Sequence, residues 1–465
     1  FCQGSMTEKT TIILPSETWA REFDAKLLLA CCLAERGYPV FVGCKNTIHL
    51  NITSFPTGLY LAKDFRVSSD TMFDILKKLG HTIMAWDEEA TLPFDTKEYH
   101  TIRISPPSFE KVSAFFAWGS ENQFALETAP CGVSAPIHLT GNPRGDLMRP
   151  ELRSYFEKET AALKEEYGDI ILINSNFGRM NHFLEMERIA PDDEDPALRG
   201  RPTSPLFVRK GMHKAKLFGF FLELVPILAE KFPEKSIIIR PHPSESFEAW
   251  QAAGKGFDNV AVVHKGHVHP WLLASDVMIH SGCTTGMEGY LLNKPVLGYQ
   301  PIEFEEGWEN LPNQLSHNVT DVDELIENIQ EYSSGAAHAR RRDELDALIE
   351  PVMSSMFGQL ASDRIADKIE MHWRSGDLQQ RQRTLARTLG TVKAHLRKAK
   401  KHIDYKNPRH KSSLAYDRHR FPEMELSEVR DRIGRLQRIL GRFEGLDVAS
   451  FASSGRIFKI VPAST

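Results

Sequence analysis

Short apolar runs alternate with longer amphipathic stretches from residue 10 onwards. The runs that are typical of buried strands begin with "TIILP", "YPVFVG" and "HTIMAW". Between the first two, the stretch "REFDAKLLLACCLAERG" has the apolar spacing of a helix, and Gly37 at its end is a favourable C-cap. Strands that alternate with helices in this way predict a parallel sheet that is covered by helices on both faces.

The alternation is interrupted over residues 186–205. This segment includes "APDDEDPALRGRPTSP", which is rich in Pro, Asp and Gly and has no apolar period, so we predict a linker. We expect residues 6–185 to form one Rossmann-like domain, which ends with the strand in "DIILINSNFG", and residues 206–375 to form a second. Two such α/β domains would face each other across a cleft, and open α/β sheets bind ligands beyond the carboxyl ends of their strands.

The last part of the chain, residues 376–465, has a different pattern. Apolar residues recur at near-heptad spacing from Leu385 to Ile403 and again from Leu426 to Leu440. The polar stretch "DYKNPRHKSS" separates the two apolar seams. We therefore predict that residues 376–465 form a basic helical hairpin appended to the two domains.

Positive charge is concentrated in this appendage. Residues 379–420 contain thirteen Lys or Arg and two acids, Asp404 and Asp417, whereas the whole chain has a net charge of -5. Two interpretations are open: a solvated basic face on a packing helix, or a surface that contacts an anionic lipid or glycolipid. The negative net charge argues against a general polyanion binder, and we expect no nucleic-acid partner.

Composition favours a globular protein of the cytoplasm. Of the 465 residues, 41% are hydrophobic, and no apolar run reaches the length of about 18 residues that a transmembrane helix needs. The six cysteines form no CxxC pair, so we expect reduced thiols. We expect no secretory signal, and we interpret the "FCQGS" before Met6 as a protease-site and cloning remnant. The basic segment would add peripheral contact at the inner face of the cytoplasmic membrane.

The apolar run in "IIIRPHPSES" ends in a rigid, cationic corner. Pro241 and Pro243 fix their own backbone, and Pro243 also restricts His242, so the histidine side chain is held in place. Arg240 and His242 together would neutralise a phosphate, because arginine binds phosphate through two parallel hydrogen bonds. The alternative is that His242 only caps a local turn. We predict that Arg240, His242 and Pro243 bind the phosphate of a nucleotide.

A second polar loop, "HSGCTTGMEG", follows the apolar strand "DVMI". Gly282 permits a close backbone approach, and free N–H groups where the next helix begins attract anions. Hydroxyl groups at this point are offered by Ser281, Thr284 and Thr285. Glu288, expected in the first helical turn, would accept hydrogen bonds from ribose. An ordinary N-cap with an acidic first turn is the alternative, but the "RPHP" corner upstream favours a nucleotide site.

The loop "HKGHVHP" carries three histidines, His264, His267 and His269. A metal site is the less favoured interpretation, because no carboxylate or cysteine has a suitable spacing. We expect the backbone near Lys265 and Gly266 to border the nucleotide base instead. We predict that the protein needs no metal and no cofactor, and that the acidic pair in "DVD" at residues 321–323 caps a helix.

Carboxylates follow three strands of the first domain. They are Asp87, Glu88 and Glu89 in "WDEEA", Glu121 in "WGSENQ", and Asp146 in "TGNPRGDLMRPELR". Acids at the edge of a sheet are candidates for acid, base or nucleophile, and Asn142 and Arg144 beside Asp146 are candidates for substrate binding. A helix cap is the alternative for any single one of the acids.

Taken together, these motifs resemble a known family. The pieces "REFDAKLLLA", "LAERGYPVFVG", "WDEEA", "TGNPRGD", "LINSNFG", "RPHPSE" and "SGCTTGMEG" resemble the bacterial surface-carbohydrate biosynthesis glycosyltransferases of GT-B fold. The likeness is to retaining Kdo transferases and pseudaminic or legionaminic acid transferases, and more distantly to CDP-glycerol glycerophosphotransferases. It covers about residues 10–373 and leaves the basic appendage outside. It implies the GT-B class of α/β fold.

The resemblance also implies a reaction. A 2-keto-3-deoxy acid sugar, either Kdo or a nonulosonic acid such as pseudaminic or legionaminic acid, would pass from a CMP-sugar to a glycan or glycolipid acceptor during capsule or lipopolysaccharide synthesis. His242 and Pro243 match the His-Pro motif that meets the CMP phosphate in relatives. Ser281, Thr284 and Thr285 match the hydroxyl motif on the same phosphate.

The resemblance further implies how catalysis would run. Retaining relatives are thought to use a carboxylate nucleophile, for which we expect Asp146, with Glu88 or Glu89 in acid–base work. Ala90 departs from the pattern, since relatives more often have glycine there. Three other functions stay open: a CDP-polyol phosphotransferase, an isomerase similar to nucleotide-sugar 2-epimerases, and a glycan-binding protein without catalysis.

Overall fold

The computed structural model describes residues 9–91, 96–183, 205–304, 310–334, 342–378, 384–407, 413–452 and 454–462. The linker predicted at residues 186–205 lies outside these ranges, apart from Pro205, which begins a long helix. Within the same ranges, no helix combines the length and the apolar character that crossing a membrane requires.

The strands are β1 (Thr11–Ser16), β2 (Val40–Cys44), β3 (Gly58–Ala62), β4 (Thr82–Ala85), β5 (Ala114–Ala117), β6 (Ile137–Leu139), β7 (Ile170–Asn174), β8 (Ser236–Arg240), β9 (Val260–Val262), β10 (Val277–His280), β11 (Val296–Tyr299), β12 (His317–Val319), β13 (Leu446–Ser450) and β14 (Ile457–Pro462).

The α-helices are α1 (Asp24–Glu35), α2 (Lys45–Leu50), α3 (Asp70–Leu79), α4 (Thr96–Arg103), α5 (Pro106–Phe109), α6 (Ser120–Glu127), α7 (Pro143–Asp146), α8 (Glu157–Tyr167), α9 (Pro205–Lys231), α10 (Glu248–Ala253), α11 (Val268–Ala274), α12 (Thr284–Leu291), α13 (Leu311–Gln314), α14 (Val322–Ser333), α15 (Arg342–Ile349), α16 (Ala361–Arg374), α17 (Thr384–Lys406), α18 (Leu414–Arg420) and α19 (Leu426–Leu440). A π-helical turn (Trp19–Phe23) and 3-10 turns (Ile52–Ser54, Val67–Ser69, Pro150–Phe156) complete the helical segments.

The chain divides into two compact units, and the first comprises Phe1–Tyr155 and Ala347–Thr465. Its sheet has the order β13-β14-β2-β1-β3-β4-β5-β6, with β1 to β6 parallel and the β13–β14 hairpin antiparallel at the edge. Gly43 in β2 has a φ of +155°, and a Cβ there would lie 2.2 Å from the carbonyl oxygen of Arg456. Glycine is therefore what lets β14 join the sheet.

The C-terminal region does not form the appended helical hairpin that we predicted. Helix α17 packs on α3, whereas α19 packs on α1 and β13. The apolar seam of α19 is buried at Val429 and Leu436, so the two predicted seams have different surroundings. The β13–β14 hairpin then continues the first sheet, and most of this region is an integral part of the first unit.

The second unit, Phe156–Asp346, is built on a parallel sheet of order β12-β11-β10-β7-β8-β9. Strand β7 lies inside this sheet, between β10 and β8, although we expected it to end the first domain. The division between units therefore falls after Tyr155, not at residue 185. A continuous apolar strand has the same pattern in any buried parallel sheet, so the pattern of "DIILIN" could not assign it to either unit.

Other local predictions are confirmed. Gly37 follows α1 with a φ of +89°, as a C-terminal glycine should. The side chain of Asp321 accepts the backbone N–H groups of Asp323 and Glu324, so it is the predicted cap of α14. The short strand β3, which precedes α3, was missed by the pattern and lies fully buried in the first sheet.

Candidate functional site

The candidate site lies at the carboxyl ends of β7, β8 and β10 in the second unit. Strands β8 and β9 follow β7 on one side of the sheet, and the next strand in the chain, β10, pairs with β7 on its other side. The strand register pairs Asn174 with Arg240 and Ile173 with Ile279, so the three following loops leave the sheet at the same level. Ligands of open α/β sheets bind at such a reversal of strand order.

A buried glutamate, Glu245, ties the loop after β7 to the corner after β8. Its Oε1 atom accepts the Ser175 hydroxyl at 2.7 Å, the Phe177 backbone N–H at 2.8 Å and the His242 backbone N–H at 3.2 Å. Its Oε2 atom accepts the indole N–H of Trp250 at 3.0 Å. Burial raises the pKa of Glu245 in spite of these donors. Glu245 ends the quoted motif "RPHPSE", but the sequence analysis assigned it no role, because the motif does not show which backbone groups its carboxylate would accept.

A buried histidine, His280, organises the loop after β10. Its Nδ1 atom accepts the backbone N–H groups of Gly282 at 3.0 Å and Cys283 at 3.1 Å. Its Nε2 atom then carries the proton and donates to the Ser316 hydroxyl at 2.8 Å. Burial, with the nearby charge of Lys214, lowers the pKa of His280 to about 3, so the ring is neutral at physiological pH.

Three polar residues border Glu245 and His280: Ser281, which is buried, and Asn176 and Lys214, which are partly exposed. The Ser281 hydroxyl donates to Asn176 Oδ1 at 3.4 Å, and Asn176 Nδ2 donates to the Ser281 carbonyl at 3.4 Å. Lys214, on α9, donates to the Asn176 carbonyl at 3.3 Å. Burial lowers the pKa of Lys214 to about 8, which leaves it cationic at neutral pH. Sequence reasoning missed Lys214, because nothing in the pattern distinguishes it from Lys216, two residues further along the same helix.

Helix α12 begins at this border, and the predicted hydroxyl residues lie at its start. Thr284 and Thr285 are the first two helical residues and are partly exposed. At Gly286 a Cβ would lie 2.6 Å from the His280 ring, so glycine allows the helix to pack against the histidine. Glu288 lies in the second turn, not in the first as predicted, and is buried with its Oε2 atom 3.7 Å from His269 Nε2.

Arg240 is buried and holds the loop that contains Lys265 and Gly266. Its guanidinium donates to the carbonyl groups of Lys265 at 2.9 Å and Gly266 at 3.1 Å, and it lies over the Trp271 ring at 5.1 Å. The Trp271 indole also donates to the Lys265 carbonyl, at 2.9 Å. Burial lowers the pKa of Arg240 to about 9. Both Nη atoms are thus occupied by protein, which makes Arg240 a positioning residue for this loop.

His242 lies at the border of the site, as the two prolines predicted. Its Nδ1 atom accepts the backbone N–H of Ser244 at 3.3 Å and contacts the Ser244 hydroxyl at 2.8 Å. In the neutral ring the proton is therefore on Nε2, the atom that could donate to a phosphate. A Cβ at Gly178 would lie 2.1 Å from Ser244 Oγ, so this glycine lets the loop after β7 approach the corner. Pro243 is partly exposed beside it.

The histidine loop is used in packing. The His267 ring stacks on Phe156 with centroids 5.1 Å apart, His269 meets the same ring edge-on, and His264 contacts the Pro241 carbonyl at 3.0 Å. Across the described ranges, no cluster of three or more His, Cys, Asp or Glu is placed to hold a metal ion. The absence of a metal requirement stays a prediction.

In the first unit, the acids of "WDEEA" have separate partners. Arg103 binds both oxygens of Asp87 and also donates to Glu89 at 2.5 Å. The Glu88 Oε1 atom lies 2.9 Å from Lys26 Nζ, and both side chains are buried. Its other oxygen, Oε2, is buried and has no hydrogen-bond partner among the described residues.

Arg144 lies beside Glu88, which the sequence did not predict, and Asn142 lies at the start of the same short helix, α7. Arg144 donates to the Glu88 backbone carbonyl at 3.3 Å and lies over the Trp118 ring at 5.5 Å. Asn142 caps α7 by accepting the Arg144 N–H at 3.0 Å, and its buried Nδ2 atom has no partner in the described part of the chain. Buried polar atoms without partners are uncommon in folded proteins and point to a bound ligand or water.

Asp146 and Glu121 lie apart from this group. Asp146 is fully buried and accepts the Ala361 N–H at 2.7 Å, the Ser362 N–H at 2.9 Å and the Ser362 hydroxyl at 2.7 Å. It therefore caps the start of α16 with both of its oxygens, although burial raises its pKa to about 6. Glu121 is an exposed acid in the first turn of α6, where its negative charge interacts favourably with the positive end of the helix dipole.

Comparisons with solved structures bear on the fold. The wall teichoic acid polymerase TagF superposes with a TM-score of 0.52 at 12% sequence identity, over 80% of this chain and 90% of TagF. A single-residue variant of TagF gives 0.51 at 11% identity over the same shares. The UDP-GlcNAc 2-epimerase of Methanocaldococcus jannaschii gives 0.46 at 12% identity, over 78% of this chain and 99% of the epimerase.

No family model and no curated protein matches the sequence. At the identities found, the likeness to TagF concerns the fold alone. It confirms the predicted class, a GT-B type of α/β fold with two parallel-sheet units.

Proposed function

We propose that the protein is a transferase that uses a nucleotide-activated donor, and that the second unit binds the donor phosphate at the ends of β7, β8 and β10. One observation carries the proposal. Buried Glu245 and His280 hold two loops so that Lys214, His242 and the start of α12 border the same edge of the sheet. A cation, a histidine N–H and the positive end of a helix dipole are groups that bind a phosphate.

We further propose a cytidine donor, a CMP-activated 2-keto-3-deoxy acid sugar. The support is the resemblance of "RPHP" and "SGCTTGMEG" to the motifs of CMP-sugar transferases. In the reaction the bond between the anomeric carbon and the phosphate oxygen breaks, and CMP leaves with the electron pair. Lys214 and His242 would stabilise that phosphate. The acceptor would be a hydroxyl group of a glycan or glycolipid, whose proton passes to a base.

For the carboxylate chemistry we propose Glu88 in place of Asp146. Both oxygens of Asp146 are occupied in capping α16, whereas Glu88 keeps one buried oxygen without a partner among the described residues. Asp87 and Glu89 are held by Arg103 and would shape the loop around Glu88. Arg144, next to Glu88, and Asn142, which caps the Arg144 N–H, remain our candidates for substrate binding.

A second candidate is a CDP-polyol phosphotransferase. The likeness in fold to the wall teichoic acid polymerase TagF favours it, and the same phosphate site would serve a CDP donor. Thermal shift and calorimetry with CMP, CDP, UMP and UDP separate the cases. CMP binding supports the sugar transferase, binding of CDP in strong preference to CMP supports the polyol transferase, and binding of uridine nucleotides alone would overturn both.

For the reaction itself, the experiment is incubation with a panel of CMP-sugars and with CDP-glycerol, followed by mass spectrometry of the products and of the intact protein. Release of CMP with a new glycan product would support the proposal. A mass increase of one sugar residue on the protein, lost in Glu88→Gln, would identify a covalent intermediate.

A further inference from the structure

Helix α17 carries an exposed apolar stripe on the surface of the first unit. Its members and their exposed fractions are Leu385 (73%), Leu389 (49%), Val392 (51%), Leu396 (66%) and Ile403 (72%). They follow the near-heptad spacing of the sequence, so they lie along one line of the helix. An apolar line of this length on a surface helix indicates a docking surface.

The opposite side of α17 fixes the stripe in its outward position. Gly390 and Ala394 are the buried residues of this helix, and α17 packs on α3. A Cβ at Gly390 would lie 2.9 Å from Lys78 Cβ and 3.2 Å from the Leu79 backbone nitrogen, so the two helices approach closely there. Lys393 adds an ion pair of 2.8 Å with Asp74 of α3. The stripe is therefore presented by a helix that is already anchored.

The charges beside the stripe select the kind of partner. At 3.6 residues per turn, Lys393 and Lys400 flank it on one side, and His395 and His402 flank it on the other. In a coiled coil with a second copy these positions would face each other, so cations and histidines of one helix would oppose those of the other, and none of these four flanking positions offers an acid to the opposing helix. The charge pattern therefore disfavours self-association through this helix.

An anionic membrane surface would accommodate both the apolar stripe of α17 and the basic residues beside it. Helix α17 carries seven Lys or Arg and a single acid, Asp404. Interfacial helices combine an apolar stripe with a basic polar face, and each cation near an anionic bilayer adds to binding. We propose that α17 lies in the interface of an anionic membrane, with Leu385, Leu396 and Ile403 in the acyl boundary and Lys400 and Lys406 among the headgroups.

The test is co-sedimentation of the full chain with vesicles. Vesicles of phosphatidylcholine with phosphatidylglycerol are compared with vesicles of phosphatidylcholine alone, at low and high salt. We expect binding to the anionic vesicles that weakens with salt. The double variant Leu396→Ser/Ile403→Ser should bind at least about tenfold more weakly, because each exposed apolar side chain that enters the bilayer contributes on that scale.

Control variants show whether any loss of vesicle binding is specific to the stripe. Val67→Ser and Phe357→Ser remove equally exposed apolar side chains, 75% and 78% exposed, elsewhere in the same unit and should bind as the wild type does. Lys400→Glu/Lys406→Glu should weaken binding to anionic vesicles without touching the stripe. Equal thermal midpoints for all variants show that the fold is intact.

Two kinds of result would overturn the proposal. One is a vesicle result: either the wild type does not bind, or the Leu396→Ser/Ile403→Ser variant binds as well as the wild type does. The other is a wild-type dimer in light scattering that this variant converts to a monomer, with no vesicle binding, since a second copy would then cover the stripe. Neither result depends on nucleotide binding, so the outcome is separate from that of the proposed function.

Discussion

The Nδ1 atom of His280 accepts the backbone N–H of Gly282 at 3.0 Å, and this contact shapes the loop that leads into α12. The bond requires an unprotonated Nδ1 atom, which the low pKa of His280, about 3, provides throughout the physiological range. The predicted phosphate site thus depends on a buried residue that a ligand need not contact.

We predict that His280→Asn lowers the free energy of unfolding by about 1–3 kcal/mol at pH 7, because asparagine lacks the Nε2–H that donates to Ser316 and the ring that packs against Gly286. The folded pKa of about 3 lies below the unfolded value near 6.5, so the contribution of neutral His280 is complete above pH 6.5 and is lost as the pH falls. The difference between wild type and variant should therefore shrink from pH 7 to pH 5.

Urea unfolding at several pH values measures this difference. Other buried histidines are present in both proteins and cancel in the comparison. His395→Asn, which changes an exposed histidine of α17, is the control and should match the wild type at every pH. A difference that stays constant with pH would contradict the assigned neutral state of His280.

Asp146 gives a prediction that separates a structural role from a catalytic one. Asp146→Asn places an amide N–H against the Ser362 donors, so the free energy of unfolding should fall by about 1–3 kcal/mol. Ser362→Ala removes one of the three donors and should cost less. Nucleotide affinity should be unchanged in both. Complete loss of transfer with wild-type stability would instead restore Asp146 as the nucleophile.

For Glu88 we predict a loss of catalytic rate, where for Asp146 we predicted a loss of stability. Glu88→Gln should lower kcat by at least about 100-fold, the usual scale for a general acid or base, and should leave the affinity for nucleotide unchanged. Glu121→Gln, a change of an exposed acid, is the control and should be fully active. Steady-state kinetics with the donor that the mass-spectrometric panel identifies provides the measurement. Wild-type kcat in Glu88→Gln would remove our carboxylate assignment.

A further prediction concerns Lys26, which lies 2.9 Å from Glu88 and 2.8 Å from Glu22. Lys26→Met leaves these two acids buried without this cation, so the free energy of unfolding should fall by about 3 kcal/mol. The double change Lys26→Met/Glu88→Gln should recover part of the loss. Denaturant unfolding of the three variants tests the coupling, and strictly additive losses would contradict it.

The sequence anticipated the fold where local pattern is decisive. Alternating strands and helices, the C-cap at Gly37 and the cap at Asp321 depend on neighbouring residues alone. The unit to which β7 belongs depends on pairing with β8 and β10, which are distant in sequence, so an apolar run could not reveal it. The β13–β14 hairpin depends in the same way on β2, at the other end of the chain.

In the candidate site, too, the sequence predicted features that depend on neighbouring residues and missed those that depend on contacts between distant residues. The corner with His242 and the start of α12 were visible because proline, glycine and hydroxyl residues have local backbone effects. Glu245, His280 and Lys214 act through tertiary contacts, and single acids, histidines and lysines have no local signature. Arg240 lies at the predicted edge, and the sequence could not show that its guanidinium donates to the carbonyl groups of Lys265 and Gly266.

The central claim is that the second unit binds a nucleotide phosphate beside Lys214, and calorimetric titration with CMP and CDP tests it most directly. We predict binding at pH 7 that weakens as the pH rises through about 8, where Lys214 loses its proton in the protein without nucleotide. Lys214→Met should bind at least about tenfold more weakly, while Lys216→Met, on the exposed side of the same helix, should match the wild type. Failure of every nucleotide to bind, or equal affinity in Lys214→Met and wild type, would contradict the account.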